Sequence, residues 1–264
     1  MSHPRARHVT DLAAPPDGRL LFAPGPATAA YRWDGEVLCR LDARLSTAGA
    51  VPWDVPPGER LLAALPDLSR AVFGSGAGLR ITGPGRTGRV VSVRHADSAT
   101  FVARNRLLVS APIMYLPDGR GREERGWHRV HLVDTEAARV VDRQLLGDSV
   151  DAGVDALAHP HDGTVLLTAF EGQDGGKVFA VRVDADRMTV RRIADDLIPV
   201  DFSPRGDRLL CIGYHGGPVV MLRWPDLTVV PPCTGSTPET RRRTTTRASP
   251  RTVASWPIGG RCSW

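Results

Sequence analysis

The sequence predicts an all-β fold built from about five small antiparallel sheets, and three observations carry that expectation. Val200 to Val230 reads as strand, turn, strand, turn, strand, turn, strand. Weaker copies of this pattern recur at the period of about 40–50 residues expected of propeller blades. The composition, 27 glycines and 22 prolines in 264 residues, suits a chain full of tight turns. Four short antiparallel strands repeated at that spacing make the blades of a β-propeller.

Taken in order, Arg7 to Leu12 can form a single strand ahead of the first repeat, the kind of strand that closes propellers by pairing into the last blade. Pro16-Asp17-Gly18 is a turn, and Arg19 to Phe22 is an apolar strand after it. Ala29 to Trp33 gives the third strand of this repeat, Asp34-Gly35 a hairpin turn, and Glu36 to Leu41 the fourth strand. In the second repeat Arg60 to Leu65 has helical propensity, yet its place before Pro66-Asp67 makes it an opening strand. Ala71 to Phe73, Leu79 to Thr82 and Arg89 to Val93 follow.

The third repeat runs through Ser98 to Ala103, Leu107 to Val109, Val130 to Val133 and Ala138 to Leu146. Its polar insertion, Pro117 to Trp127, is too hydrophilic for a core. The fourth runs through Val154 to Ala158, Val165 to Ala169, Val178 to Val183 and Met188 to Ile193. In the fifth, Val200 and Phe202 alternate with polar neighbours, and Leu209 to Ile212 is an apolar run short enough for a strand buried on both faces. Val219 to Trp224 and Leu227 to Val230 complete it, with Trp224 expected to fill space between blades. Because this blade has four strands of its own, the N-terminal strand finds no vacancy, and an incomplete ring is expected.

Phe202-Ser203-Pro204, Gly206, Leu209-Leu210 and Trp224 before Asp226 carry a family likeness. They resemble a WD40-type repeat, in which F-S-P-x-G precedes L-L and a W-D pair closes the third strand. Two departures widen the group: no Gly-His dipeptide opens a repeat, and Pro225 separates Trp224 from Asp226. WD40-like and TolB-like propellers therefore stay unseparated. The resemblance covers residues 9–230 and implies a non-catalytic protein-interaction scaffold of unknown partner, with loops presenting the binding surface. The alternative is a propeller hydrolase or lyase acting on a small molecule or sugar in its central channel.

The formal net charge is +5. The segment from Pro231 to Trp264 has six arginines and one acid, Glu239, so residues 1–230 balance at 28 basic and 28 acidic groups. The body thus has no global attraction for nucleic acid or anionic membranes. Residues 1–230 are expected to form the domain. Residues 231–264, dense in Arg, Thr, Ser and Pro, are expected to be a disordered tail. The tail's composition is either that of a GC-rich coding sequence read out of frame or that of a natural basic tail. No run approaches the roughly 18 apolar residues of a membrane span. Cys39, Cys211, Cys233 and Cys262 are widely spaced, which points to free thiols and a cytoplasmic protein.

No cofactor, metal or catalytic constellation is expected. Gly83 to Gly88 spells G-x-G-x-x-G, but the strand Arg89 to Val93 follows it, where a nucleotide loop needs a helix N-terminus. His128 and His131 sit at odd spacing on a strand and face opposite ways. His159 and His161 lie in a turn and could chelate, with no further ligand at metal spacing. Asp97, Asp155 and Asp201 recur near inner strands, where such groups either ring a channel or, more often, tie strands to turns. Arg120, Arg122, Arg125 and Trp127 are the candidates for partner contact, since Arg and Trp dominate interface anchors, the alternative being that this insertion folds back onto its own blade.

Overall fold

The structure is a computed structural model that describes residues 19–23, 29–42, 46–113, 128–146, 153–171 and 175–231. Among the described residues nineteen strands form five antiparallel sheets arranged as the blades of a β-propeller. Blade 1 is β1 (Arg19–Ala23), β2 (Ala29–Trp33), β3 (Val37–Leu41) and β4 (Thr47–Pro52). Blade 2 is β5 (Arg60–Ala64), β6 (Ala71–Gly74), β7 (Leu79–Thr82) and β8 (Arg89–Val91). Blade 3 is β9 (Ser98–Ala103), β10 (Arg106–Pro112), β11 (His128–Asp134) and β12 (Arg139–Leu145). Blade 4 is β13 (Val154–Ala158), β14 (Val165–Phe170), β15 (Gly176–Asp184) and β16 (Arg187–Asp195). Blade 5 is β17 (Leu197–Phe202), β18 (Arg208–Gly213) and β19 (Val219–Arg223).

The expected strands of blades 2 to 4 are all present. Blade 1 differs by one strand. Arg19–Ala23 is its inner strand, so Trp33 ends the second strand rather than the third, and Thr47–Pro52 supplies an unforeseen fourth. The Trp33-Asp34 pair therefore closes the hairpin between β2 and β3, where Asp34 Oδ1 accepts from the Glu36 and Val37 amides and Gly35 takes φ 103°. Blade 5 differs in the other direction. Its expected fourth strand is reduced to one bridge, Leu222 opposite Val229, because the turn after Arg223 leaves only Thr228 to Val230 alongside β19.

Apolar cores lie between consecutive blades, as stacked sheets require. Tyr31, Trp33 and Leu38 meet Leu61 and Phe73 between blades 1 and 2. Val72 and Ile81 meet Leu107 and Val109 between blades 2 and 3. Leu108 and Leu132 meet Leu167 and Val181 between blades 3 and 4. Leu166 and Val178 meet Phe202, Leu209 and Cys211 between blades 4 and 5. Among the described residues no core cluster joins blade 5 to blade 1.

That gap shows in the strand next to the innermost one of each blade. In blades 2, 3 and 4 this strand is covered on both faces: β6 is buried throughout, as are Leu107 to Ala111 of β10 and Val165 to Ala169 of β14. In β18 only the side toward blade 4 is closed. Leu209 and Cys211 are each 1% exposed, while Ile212 on the other side is 38% exposed. Blade 1 is not open in the same way, for Cys39 and Leu41, on its face away from blade 2, are both buried.

Candidate functional site

Each inner strand starts at one end of the propeller, here termed the entry rim, and leads to a β-hairpin at the opposite end. The inner strands adjoin in chain order, β1 with β5, β5 with β9, β9 with β13 and β13 with β17. The entry rim carries Arg60 at the start of β5, Asp97 just ahead of β9, His128 at the start of β11 and Asp155 near the start of β13.

Asp97 is the junction of this group. Its amide donates to the Ser110 carbonyl at 3.1 Å, and its Oδ1 accepts from the Ser98 amide at 2.9 Å. Its Oδ2 lies 2.8 Å from His128 Nε2. His128 is buried, and its Nδ1 has no hydrogen-bond partner. From blade 2, Arg60 Nη2 donates to the carbonyls of Ala96 and Asp97 at 3.0 and 2.9 Å, tying two blades together. Burial, and then the Asp97 carboxylate, raise the Asp155 pKa above the ordinary aspartate value. Asp155 nevertheless keeps an open surface, so water screens much of this effect.

Of the three inner-strand aspartates, the structure brings Asp97 and Asp155 into electrostatic reach and leaves Asp201 apart. Asp201 is the fifth residue of β17, toward the far end from the entry rim, where its Oδ1 accepts from the Phe202 amide at 2.8 Å. A three-carboxylate ring therefore does not form. Among the described residues no group of three His, Cys, Asp or Glu side chains is arranged to hold a metal ion.

The histidine pairs have separate fates. His128 lies opposite Pro112 and His131 opposite Val109, on the two different faces of blade 3. Burial, aided by Arg129 and Arg143, pushes the His131 pKa down to about 4. His159 and His161 form a latch between blades 4 and 5, a role the sequence reading did not anticipate. His159 Nδ1 accepts from the amides of His161 and Asp162 at 3.1 and 2.9 Å. Nε2 must then carry the proton, which it donates to the Gly206 carbonyl of blade 5 at 2.9 Å. His161 Nε2 lies 2.7 Å from the Pro204 carbonyl. Phe202 packs edge-on against the His159 ring with centroids 4.7 Å apart. The signal was present as a histidine in one blade's turn and a glycine in the next blade's, but only the packing shows that they meet.

Gly83 to Gly88 is the hairpin between β7 and β8, with Thr82 Oγ1 donating to the Arg86 carbonyl at 2.9 Å. The predicted contact residues Arg120, Arg122, Arg125 and Trp127 lie outside the described residues. Their segment joins β10 to β11, and both strand ends stand at the entry rim.

The architecture defines the protein as a five-bladed β-propeller. No family model matches the chain, and no curated protein matches it. Among solved structures it resembles a hypothetical selenium-binding protein from Sulfolobus tokodaii, at 11% identity and TM-score 0.51, covering 76% of this chain and 57% of that one. It also resembles Synechocystis apocarotenoid oxygenase, at 17% identity and TM-score 0.46, covering 80% and 59%. A third is Pyrococcus horikoshii acylaminoacyl peptidase, at 10% identity and TM-score 0.47, covering 81% of this chain and 39% of the enzyme. The chain thus spans less than two thirds of each of these proteins, and likeness at such identities concerns the fold alone.

Proposed function

We propose that the chain is a non-catalytic protein-interaction platform of the WD40-like propeller type, with the open face of blade 5 as its contact surface. One observation carries the reading. Six large hydrophobic residues are exposed among the described residues, and three of them, Val200, Ile212 and Val219, belong to the strands of the fifth blade. Exposed apolar surface gathered in one place marks a contact site, whereas scattered single residues do not. The polar groups at the blade 4–5 junction are meanwhile engaged in holding blades together. The segment with Arg120, Arg122, Arg125 and Trp127 is proposed as a second contact element, since the two strands it joins, β10 and β11, have those ends at the entry rim.

A cytoplasmic location belongs to the same proposal, supported by Cys39 and Cys211, which are buried free thiols. Among the described residues no helix is long and apolar enough to cross a membrane.

The test compares affinity capture from the native host by the unaltered chain and by Ile212→Arg/Val219→Arg. The reading expects a defined set of proteins to be retained by the first and lost by the second, with both chains equally folded by circular dichroism. Identical captures would refute it.

A second reading, a propeller enzyme working on a small molecule, is favoured by the Asp97–Asp155 pair at the entry rim. Two carboxylates in unlike environments are the usual arrangement of a general acid and its partner. Turnover of a glycoside or ester panel that Asp155→Asn abolishes would establish it in place of the platform.

A further inference from the structure

We infer that the open face of blade 5 receives a protein partner that sets carboxylates beside a row of apolar side chains. The inference rests on the interaction-platform reading and names the chemistry of the partner. Residues directly opposite across an antiparallel pair point to the same face. Cys211 and Leu209 point into the blade 4–5 core, so Ile212 and Arg208, at odd spacing from them, point away from it.

The register then arranges this face in rows. Ile198, Ile212 and Val219 lie abreast across β17, β18 and β19 at the entry end. Arg208 and Arg223 lie abreast at the other end. Val219 is 65% exposed and Arg223 is also exposed, so both rows are open to a partner. Neither arginine forms an ion pair among the described residues. Each adjoins one turn aspartate, Asp207 or Asp226, but those carboxylates already accept hydrogen bonds from Ser203 and from Thr228 inside their own turns. The guanidinium donors are left for another acceptor, and a carboxylate is the acceptor their fork geometry suits.

The same rows argue against two other occupants. In a pair of copies related by a two-fold axis in the plane of this face, each copy's arginines would meet either the other's apolar row or the other's arginines, neither of which offers an acceptor. The segment from Pro231 to Trp264, with six arginines and one glutamate, has the wrong charge. A partner strand or sheet carrying aliphatic side chains at one end and aspartate or glutamate at the other satisfies both rows.

Two labelled synthetic peptides of alternating valine and threonine test this, one ending in paired glutamates and the other in paired lysines. Fluorescence polarisation with the full chain should show the glutamate peptide binding about tenfold tighter, as expected for two exposed ion pairs. Arg208→Glu/Arg223→Glu should reverse the preference, and Val219→Arg should abolish binding of both. Equal binding, a lysine preference, or no binding of either peptide would overturn the inference. So would a dimer in sedimentation that Ile212→Arg dissolves. If captured proteins are still lost with Ile212→Arg/Val219→Arg while the peptides show no charge preference, the platform stands and only the assigned partner chemistry falls.

Discussion

Trp224 Nε1 donates a hydrogen bond to Asp162 Oδ2 at 3.0 Å, linking the end of the fifth blade to the first turn of the fourth. The indole also meets Phe202 edge-on at 5.4 Å, and His159 lies 5.9 Å away. Asp162 Oδ1 meanwhile accepts from the Thr164 amide at 2.8 Å, so a single carboxylate shapes its own turn and holds the neighbouring blade. Trp224 is only half-buried and sits at the seam between the blades rather than deep within it.

Replacing Trp224 should separate these contributions. Trp224→Phe keeps an aromatic ring against Phe202 and removes the donor, a loss of about 1 kcal/mol. Trp224→Ala also removes the ring, and for a half-buried indole the expected loss is about 2–3 kcal/mol. Urea denaturation of the three chains gives both values. Equal losses would show that the hydrogen bond alone matters.

Gly206 and Gly163 provide a matched pair of substitutions. Both adopt φ +73°. A Cβ on Gly163 would meet nothing within 4 Å, whereas one on Gly206 would clash with His159 Nε2. Gly163→Ala should therefore register backbone strain alone, about 1 kcal/mol. Gly206→Ala adds displacement of the latch histidine and should lose at least about 2 kcal/mol more. Thermal or urea midpoints that match for the two variants would disprove the latch.

His131 sets a pH dependence whose sign is fixed. Its folded-state pKa of about 4 lies below the ordinary value of 6.5, because burial and two arginines oppose the imidazolium. Its contribution is therefore complete above pH 6.5 and is lost as the pH falls toward 4, where the unfolded chain takes up a proton that the folded chain refuses. The shift corresponds to roughly 3 kcal/mol. His131→Gln should flatten the acid side of the stability profile across that window, measured against the unaltered chain. Parallel profiles would count against the burial of His131.

Asp155 and Asp97 should respond in opposite directions. Asp155 is held in a setting that disfavours its charge, so Asp155→Asn should raise stability at pH 7, by less than about 1 kcal/mol given its open surface. Asp97 accepts from an amide and meets a buried imidazole, so Asp97→Asn should lower stability by about 1–3 kcal/mol. Thermal midpoints of the two variants decide it, and a stabilising Asp97→Asn would contradict the structure.

The fold was legible wherever strand chemistry and turn chemistry agreed. Leu107 to Val109 and Val165 to Ala169 are apolar runs bounded by turns, and both are buried central strands. Thr47–Pro52 escaped notice because an outer strand with no fully buried residue needs no apolar alternation, and its alanines and glycine supply none. Trp33-Asp34 misled for a local reason. An aspartate after a tryptophan caps any hairpin, so the pair could not show which of two hairpins it closed. The candidate site was less legible still. Asp97 was visible as a recurring acid, but its bond to His128 spans 31 positions of sequence. The latch from His159 to Gly206 spans 47. Neither pairing has a periodic signature, because both arise from how one sheet faces the next.

The serial arrangement of the cores, with none among the described residues linking the last sheet to the first, has a thermodynamic consequence. Such a molecule behaves as a row of coupled units in which the terminal unit has one stabilising neighbour and the inner ones have two. Cooperativity then decays toward the ends, and blade 5, with its uncovered face and reduced fourth strand, is the unit that opens at the smallest free energy. Amide exchange in β18 should accordingly outpace exchange in β10 and β14, even though all three occupy the same position in their sheets. A partner seated on that outer face would supply the missing neighbour, so that binding and the ordering of the last blade become a single thermodynamic event.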